Sequence, residues 1–268
     1  GEQITARGIG NGTSLIIYTG IVATLPVSLS NTFELARTGE ISGWFLFALL
    51  ALLVGVLALC VACERAQRRI LVQYPKRQVG NKMFGGDATH MPLKLNTAGV
   101  IPPIFASSLL LFPLTMASFT DVGRTGWLAD VVAYLGHGSP MFMFSYAALI
   151  IFFAFFYTAI VFNPDETADS LKKHSGFVPG IRPGVNTAEY LDFVLTRLTV
   201  LGAAYLTVVC LLPEFLTANN SVPFYMGGTS LLIVVSVTID TIGKVQAHLM
   251  AHQYEGLIKK ARLRGRKG

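Results

Sequence analysis

Long runs of apolar residues, separated by shorter polar or basic segments, dominate the pattern along the chain. A helix needs about 20 apolar residues to cross the hydrocarbon core of a bilayer, and six runs have roughly that length. They lie at 13–30, 44–63, 98–117, 141–162, 191–213 and 229–249. Glycine and proline inside several runs are tolerated in membrane helices, because neighbouring helices satisfy the freed backbone groups. The pattern predicts an all-α membrane protein with six transmembrane helices.

Lysine and arginine occupy alternate segments between the apolar runs. Residues 64–97, residues 163–190 and the tail at 250–268 are basic, whereas the intervening loops contribute only Arg37 and Arg124. Cytoplasmic loops of membrane proteins carry an excess of Lys and Arg. The bias therefore predicts that the N and C termini and both basic loops face the cytoplasm.

The composition agrees with a membrane protein. Only 13% of the residues are charged and the mean hydropathy is +0.55, whereas a soluble domain carries about 25% charged residues. The net charge of +6 is interpreted as a topology signal rather than as a sign of nucleic-acid binding. The first residues, GEQITARGIGNG, resemble a loop inside a longer protein, so the chain is expected to be a fragment.

The sequence lacks the common signatures of catalytic and metal-binding sites. The sequence contains no H-E-x-x-H, no G-x-S-x-G, no phosphate-binding loop and no dinucleotide-binding glycine fingerprint, so neither catalysis nor a cofactor is expected. Cys60 and Cys63 have C-x-x-C spacing but lack a second pair. We therefore interpret them, with Cys210, as packing residues. His248 and His252 are four residues apart, but a metal there would lack a third ligand.

Charged residues inside the apolar runs raise the possibility of ion-coupled transport, because such charges are costly and often functional. Asp240 and Lys244 are spaced i,i+4 and are expected to pair. Arg197 is expected to pair with Asp192 or to reach the membrane interface. Structural pairing is favoured over a proton relay, but a secondary transporter with alternating access stays open as the alternative function, and a plain membrane scaffold as a third.

The third apolar run begins in an unusual way. Asn96, Thr97 and Gly99 precede two prolines at 102–103, and two serines follow at 107–108. Proline costs little in a first helical turn, but small and polar residues further in are unusual for a helix that only contacts lipid. The pattern indicates that this helix moves or lines a passage.

The two basic loops are long for simple connections and are expected to bind a partner. Residues 64–97 mix cations with Ile, Val and Tyr, which suits a strand pair or a helix extension that docks on ribosomal RNA or an acidic protein. Gly80–Gly86 is typical of a hairpin tip, and Phe177–Gly184 predicts a stiff turn that presents Arg182. Residues 127–135 predict a short amphipathic helix at the outer surface.

Eight stretches match one known family in order and over nearly the whole chain. They are GEQIT-RGIGNG at 1–12, ERAQRRI at 64–70, PLKLNTAGVIPPIFASSLL at 92–110, NPDETAD at 163–169, GFVPGIRPG at 176–184, TRLTVLGA at 196–203, PFYMGGTSLLIVV at 223–235 and QYEGLIKKARL at 253–263. On these residues the chain resembles the SecY family, the central subunits of bacterial protein-translocation channels. The resemblance covers the fifth to tenth helices of that family and not the first four, which include the plug-bearing helix.

The resemblance implies a ten-helix bundle of two inverted halves around a pore in the bacterial cytoplasmic membrane. Residues 1–30 would hold the last helix of the N-terminal half, and residues 31–268 would form the C-terminal half. The implied function is to move unfolded secretory proteins across the membrane and to insert membrane proteins. The implied partners are the SecE and SecG subunits, the SecA motor ATPase, the ribosome with its RNA and proteins, the nascent chain or preprotein with its signal sequence, and membrane lipids.

The resemblance also assigns roles to individual residues. An apolar ring at mid-membrane would use Ile17, Val100, Ile104 and Ile233, with Thr13 at a position where the family usually has an aliphatic residue. A lateral gate would use Asn96, Ser107, Ser108 and Phe112. Docking of the ribosome or the motor would use Arg182, Arg68, Arg69, Lys76 and Arg77. A narrow apolar collar suits a channel, because it loses water and blocks ions without binding one passing sequence tightly.

Overall fold

The computed structural model describes residues 1–8, 12–39, 42–75, 77–79, 82–84, 88–119, 136, 139–219 and 227–265. Side chains are not described at 77–79, 82–84, 114, 117–119, 217–219 and 252–265. The helices are α1 (Glu2–Arg7), α2 (Gly12–Thr38), α3 (Gly43–Arg65), α4 (Ile101–Phe119), α5 (Pro140–Val161), α6 (Pro164–Lys173), α7 (Val185–Asn219) and α8 (Gly228–Gly265). The strands are β1 (Gln67–Gln73), β2 (Arg77–Val79), β3 (Lys82–Phe84) and β4 (Ala88–Lys94).

The predicted helical architecture is confirmed. Five helical segments are long and apolar enough to cross a membrane: Gly12–Thr38, Gly43–Arg65, Pro140–Lys173, Val185–Leu216 and Gly228–Ala251. The predicted third span falls on α4, whose searched part, Ile101–Pro113, is a shorter apolar helix. Helix α4 begins three residues later than the apolar run because Gly99 adopts a left-handed conformation, with φ of +66°, which ends the incoming extended chain.

The segment between α3 and α4 contains the strand pair that its mixed composition suggested. Strands β1 and β4 are antiparallel, with Gln67 opposite Lys94 and Gln73 opposite Ala88. The shorter strands β2 and β3 pair beyond them. Lys76 lies outside the described residues, and so do residues 80–81 and 85–87, which include most of the predicted hairpin tip at Gly80–Gly86. Residues 127–135, for which we predicted a surface helix, also lie outside them.

The chain divides into two compact units, Ala58–Thr229 and a second one formed by Gly1–Leu57 with Ser230–Gly268. In the first unit, α5 packs against both α4 and α7. Its buried residues recur every fourth position, as Phe142, Tyr146, Ile150, Ala154 and Thr158. That spacing places them on one helical face, so α5 holds its two neighbours through a single stripe.

A separate apolar cluster holds the two basic loops to the helices in the same unit. It consists of buried Ile70, Leu93, Val178, Leu191, Val194 and Leu198. These side chains come from β1, β4, the turn after α6, and α7. The hairpin and the turn therefore share one core, although Leu93 and Val178 are far apart in the sequence.

Candidate functional site

The entry to α4 is fixed by a buried amide. The Asn96 side chain is 5% exposed, and its Nδ2 donates to Oε1 of Glu64 at 2.8 Å and to the carbonyl of Gly99 at 3.1 Å. Glu64 lies in the last turn of α3. A single side chain thus joins the end of α3 to the loop that starts α4.

A second contact fixes the same loop against α7. A Cβ placed on Gly202 would lie 2.8 Å from the carbonyl oxygen of Leu95, which is closer than van der Waals contact allows. The amide of Leu95 also donates to the carbonyl of Ala66 at 3.0 Å. The backbone before α4 is therefore held from both sides, and the two prolines of its first turn, Pro102 and Pro103, are fully buried.

Beyond its first turn, α4 exposes one long face. Phe105, Leu109 and Phe112 are 55%, 51% and 61% exposed, and Ser108 is exposed beside them. Residues spaced by three and four positions lie on one face of a helix. The opposite face is buried through Ala106 and Leu110, so α4 presents an exposed apolar surface that includes the hydroxyl of Ser108.

The hydroxyls of the predicted gate make local hydrogen bonds. Oγ of Ser107 donates to the carbonyl of Ile104 at 3.0 Å, and Oγ of Ser108 donates to the same carbonyl at 2.8 Å. Such bonds satisfy a serine inside an apolar helix without any partner on a neighbouring helix. The gate role of Asn96, Ser107, Ser108 and Phe112 stays a prediction.

The five predicted ring residues belong to different units. Val100 and Ile104 lie in the unit of residues 58–229, and both are partly buried. Thr13, Ile17 and Ile233 lie in the other unit. There Ile17 is 42% exposed and Ile233 is 7% exposed. The ring itself stays a prediction.

The two basic loops form one continuous surface. Gln73 and Phe177 exchange both backbone hydrogen bonds, at 2.9 and 3.0 Å, so the turn after α6 extends the β1–β4 pair. Tyr74, Pro75, Lys173, His174 and Ser175 line a cavity of about 340 Å³ at this seam. The structure thus brings together two segments that the sequence treated as separate loops.

The predicted stiff turn is confirmed around Arg182. Ile181 donates its amide to the carbonyl of Val178 at 3.1 Å, and Oγ1 of Thr187 donates to the carbonyl of Arg182 at 2.9 Å. Gly180 and Gly184 have φ of +85° and +113°, values that side chains rarely adopt. The backbone is therefore held while the Arg182 side chain is exposed.

The other predicted docking cations are only partly described. Arg68 and Arg69 are exposed at the start of β1, and their side chains point to opposite faces because successive strand residues alternate. Arg77 lies in β2, but its side chain is outside the described residues, and so is Lys76. Docking by these residues stays a prediction.

The remaining sequence candidates have structural explanations. Cys60 and Cys210 are 0% and 1% exposed, as expected of packing residues. The predicted pair is confirmed, with Nζ of Lys244 at 2.8 Å from Oδ2 of Asp240. Among the described residues no group of His, Cys, Asp and Glu side chains could hold a metal ion; the side chain of His252 is not among them.

The predicted pairing of Arg197 with Asp192 was wrong, and the alternative, in which Arg197 reaches the membrane interface, stays a prediction. No ion pair with Asp192 is present in the described part of the chain, because residues five positions apart lie about 140° apart around a helix. Instead the guanidinium carbon of Arg197 lies 4.1 Å from the ring centroid of Phe193, one turn earlier on the same face.

Sequence reasoning missed Glu64 and Gly202. Glu64 ends an apolar run next to basic residues, which made it look like part of the loop. A carboxylate that close to the end of a span could have been paired with a polar residue such as Asn96. No sequence signal singles out Gly202, because its role depends on a distant carbonyl.

Comparisons with known proteins agree with this architecture. The SecY family model matches residues 1–242. The chain is similar to the protein translocase subunit SecY of Rickettsia conorii (54% identical over 264 residues, 98% of this chain), of Vibrio cholerae (56% over 269 residues, 99%) and of Escherichia coli K12 (55% over 267 residues, 99%). The chain spans 60–61% of the length of these relatives.

Two solved structures have the same fold. One concerns the plug domain of SecY and the closed state of the translocation channel; it has a TM-score of 0.64 and 18% identity, and the match covers 91% of this chain and 61% of that one. The other is described as a protein-conducting channel, with a TM-score of 0.61, 17% identity and coverage of 91% and 60%. Together with the membrane-spanning helices, the family model and the curated relatives show that the chain is a multi-pass protein of the bacterial inner membrane and belongs to the SecY family.

Proposed function

We propose that the chain supplies the C-terminal half, and the adjoining helix of the N-terminal half, of a channel that conducts unfolded proteins across the inner membrane. The observation that carries the proposal is the exposed apolar face of α4, a helix whose N-terminal end is held by the hydrogen bonds of Asn96. Such a face suits a gate wall that meets either a neighbouring helix or an apolar signal sequence. Family membership and the basic surface beside it support the same function.

The channel would be passive and driven by a partner. The hairpin and the Arg182 turn are joined by the backbone hydrogen bonds between Gln73 and Phe177 and carry exposed arginines. This arrangement suits a ribosome or the SecA motor ATPase, since phosphates and acidic side chains both favour arginine. The SecE and SecG subunits would complete the complex. The apolar ring would use Ile17, Val100, Ile104 and Ile233, with Thr13 beside them.

A secondary transporter is the weaker alternative. Such a protein needs ion ligands inside the membrane. The buried polar side chains in the described part of the chain are Asn96, Thr158, Thr187 and Thr199, and none of them is a carboxylate. The acid inside the last span, Asp240, is exposed and paired with Lys244, which does not favour an ion-coupling site.

A chimera tests the proposal directly. Residues 1–268 would replace the matching part of the Escherichia coli relative, and the chimera would be expressed in cells depleted of their own SecY. We expect it to restore growth and export of a secreted reporter. A chimera that inserts stably at a normal level but exports nothing would overturn the proposal.

Docking has its own test in the same chimera. Arg182→Glu is expected to leave insertion intact and to reduce export at least about tenfold, because it reverses the charge on a fixed turn. Lys172→Glu is the matched control, since it makes the same charge change on the exposed surface of α6. Equal export by both variants would refute the role of Arg182.

Crosslinking tests the ring. Ile17, Ile104 and Ile233 would each be replaced by cysteine in a chimera whose native cysteines are changed to serine, and a stalled translocating chain would carry a thiol-reactive crosslinker. We expect all three positions to label, and Leu206→Cys, which is fully buried in α7, to remain unlabelled. If none of the three ring positions labels, the pore axis lies elsewhere.

A further inference from the structure

Arg197 and the face of α7 around it are not used by the proposed channel. Phe193, Val200, Leu201 and Val208 are 54%, 51%, 59% and 56% exposed, and Arg197 is exposed among them. Their spacing places all five on one face of the helix. This face, which we call the α7 outer face, is therefore apolar with a single cation.

The position of Arg197 along α7 matches the edge of a bilayer. Residues 198–213 carry no charge, and Glu214 follows them. At 1.5 Å per residue this stretch is about 24 Å long, close to the roughly 30 Å of a hydrocarbon core. Arg197 ends the stretch on the side of the basic loop at 163–190, which the charge bias places in the cytoplasm.

The guanidinium of Arg197 has an unused hydrogen-bonding capacity. Among the described residues it makes no ion pair or side-chain hydrogen bond, and the Phe193 ring, which lies 4.1 Å away, supplies no acceptor in the ring plane. Arginine carries five N–H donors in a fixed fork that matches a phosphate. Stacking on an aromatic ring leaves those in-plane donors free and holds the fork in one orientation.

We propose that the α7 outer face is a binding site for an anionic phospholipid of the cytoplasmic leaflet. The phosphate would accept from the Arg197 guanidinium at headgroup level, and an acyl chain would lie along Val200, Leu201 and Val208. Charge complementarity commits the site to an anionic lipid, because a zwitterionic headgroup also brings an ammonium that the guanidinium repels. The proposal does not depend on transport by the channel.

Fluorescence quenching by brominated lipids measures this binding. Leu201→Trp would report on the α7 outer face in the full chain, after Trp44 and Trp127 are replaced by Phe. The chain would be reconstituted in phosphatidylcholine vesicles containing dibrominated phosphatidylglycerol or dibrominated phosphatidylcholine. We expect the anionic lipid to bind about fivefold more strongly, from the attraction of one arginine for an anionic membrane surface.

Two arginine variants and a control position make the result specific. Arg197→Gln should remove the preference, and Arg197→Lys should keep part of it because one charge remains without the fork. The control reporter is Phe152→Trp on α5. Phe152 is 60% exposed and α5 carries no charged residues, so this reporter should show no preference for the anionic lipid. An equal preference for the anionic lipid at Leu201→Trp and Phe152→Trp would overturn the proposed binding site.

Two further outcomes would also overturn it. If Leu201→Trp is quenched by neither lipid, the face is covered by a protein segment rather than by lipid. If inorganic phosphate in the buffer removes the preference, the site binds a small anion and not a phospholipid. Quenching by phosphatidylcholine that is unchanged in Arg197→Gln would show that this variant is folded, and loss of the preference in that variant would support the proposal.

Discussion

The hydrogen bond between Asn96 and Glu64 is expected to be the strongest single polar contact at the start of α4. A hydrogen bond to a charged group contributes about 1.5–3 kcal/mol, and one between neutral groups about 0.5–1.5 kcal/mol. Asn96→Ala removes one of each and leaves the partly buried Glu64 carboxylate without this donor. The expected loss in the free energy of unfolding is therefore about 2–4 kcal/mol.

A double-mutant cycle isolates the Glu64 contribution. Asn96→Ala, Glu64→Ala and the double variant would be unfolded by SDS in mixed micelles. The bond to the Gly99 carbonyl is lost whenever Asn96 is replaced, so it cancels, and the coupling energy should be about 1.5–3 kcal/mol. Thr97→Ala is the control, because its hydroxyl donates only to the carbonyl of Lys94 and is expected to cost less than about 1 kcal/mol. A coupling energy below about 0.5 kcal/mol would refute the reasoning.

Three further substitutions and one control are tested by the same unfolding measurement. Gly202→Val should destabilise the chain by about 2 kcal/mol through the clash with the Leu95 carbonyl, which is backbone and has little room to move; a neutral result would contradict the close approach. Leu206→Ala should cost about 2–5 kcal/mol because Leu206 is 0% exposed, whereas Val208→Ala on the outer face should cost much less. Gly184→Ala should cost about 1–3 kcal/mol because φ is +113° there, and an unchanged stability would show that the turn relaxes.

Several features followed from the sequence because they depend on local physics. Apolar length predicted which segments can cross a bilayer without any knowledge of contacts, whereas the orientation inferred from the alternation of cations stays a prediction. The i,i+4 spacing was sufficient for the Asp240–Lys244 pair, and two glycines around Val178–Pro183 were sufficient for the stiff turn. Arg197 shows the limit of such rules, because a spacing of five residues was treated as if it brought the side chains together.

Only the tertiary structure decided which distant segments meet. The approach of Gly202 to Leu95 depends on how α7 packs against the loop before α4, and a glycine has no side chain from which to predict that contact. The exchange of hydrogen bonds between Gln73 and Phe177 likewise joins two loops that are far apart in sequence. The polar start of α4 was visible in the sequence, and the position of Glu64 near the end of a span made it a candidate partner. Only the fold shows that Asn96 bonds to Glu64, since a buried amide bonds to whichever acceptor the fold brings within reach.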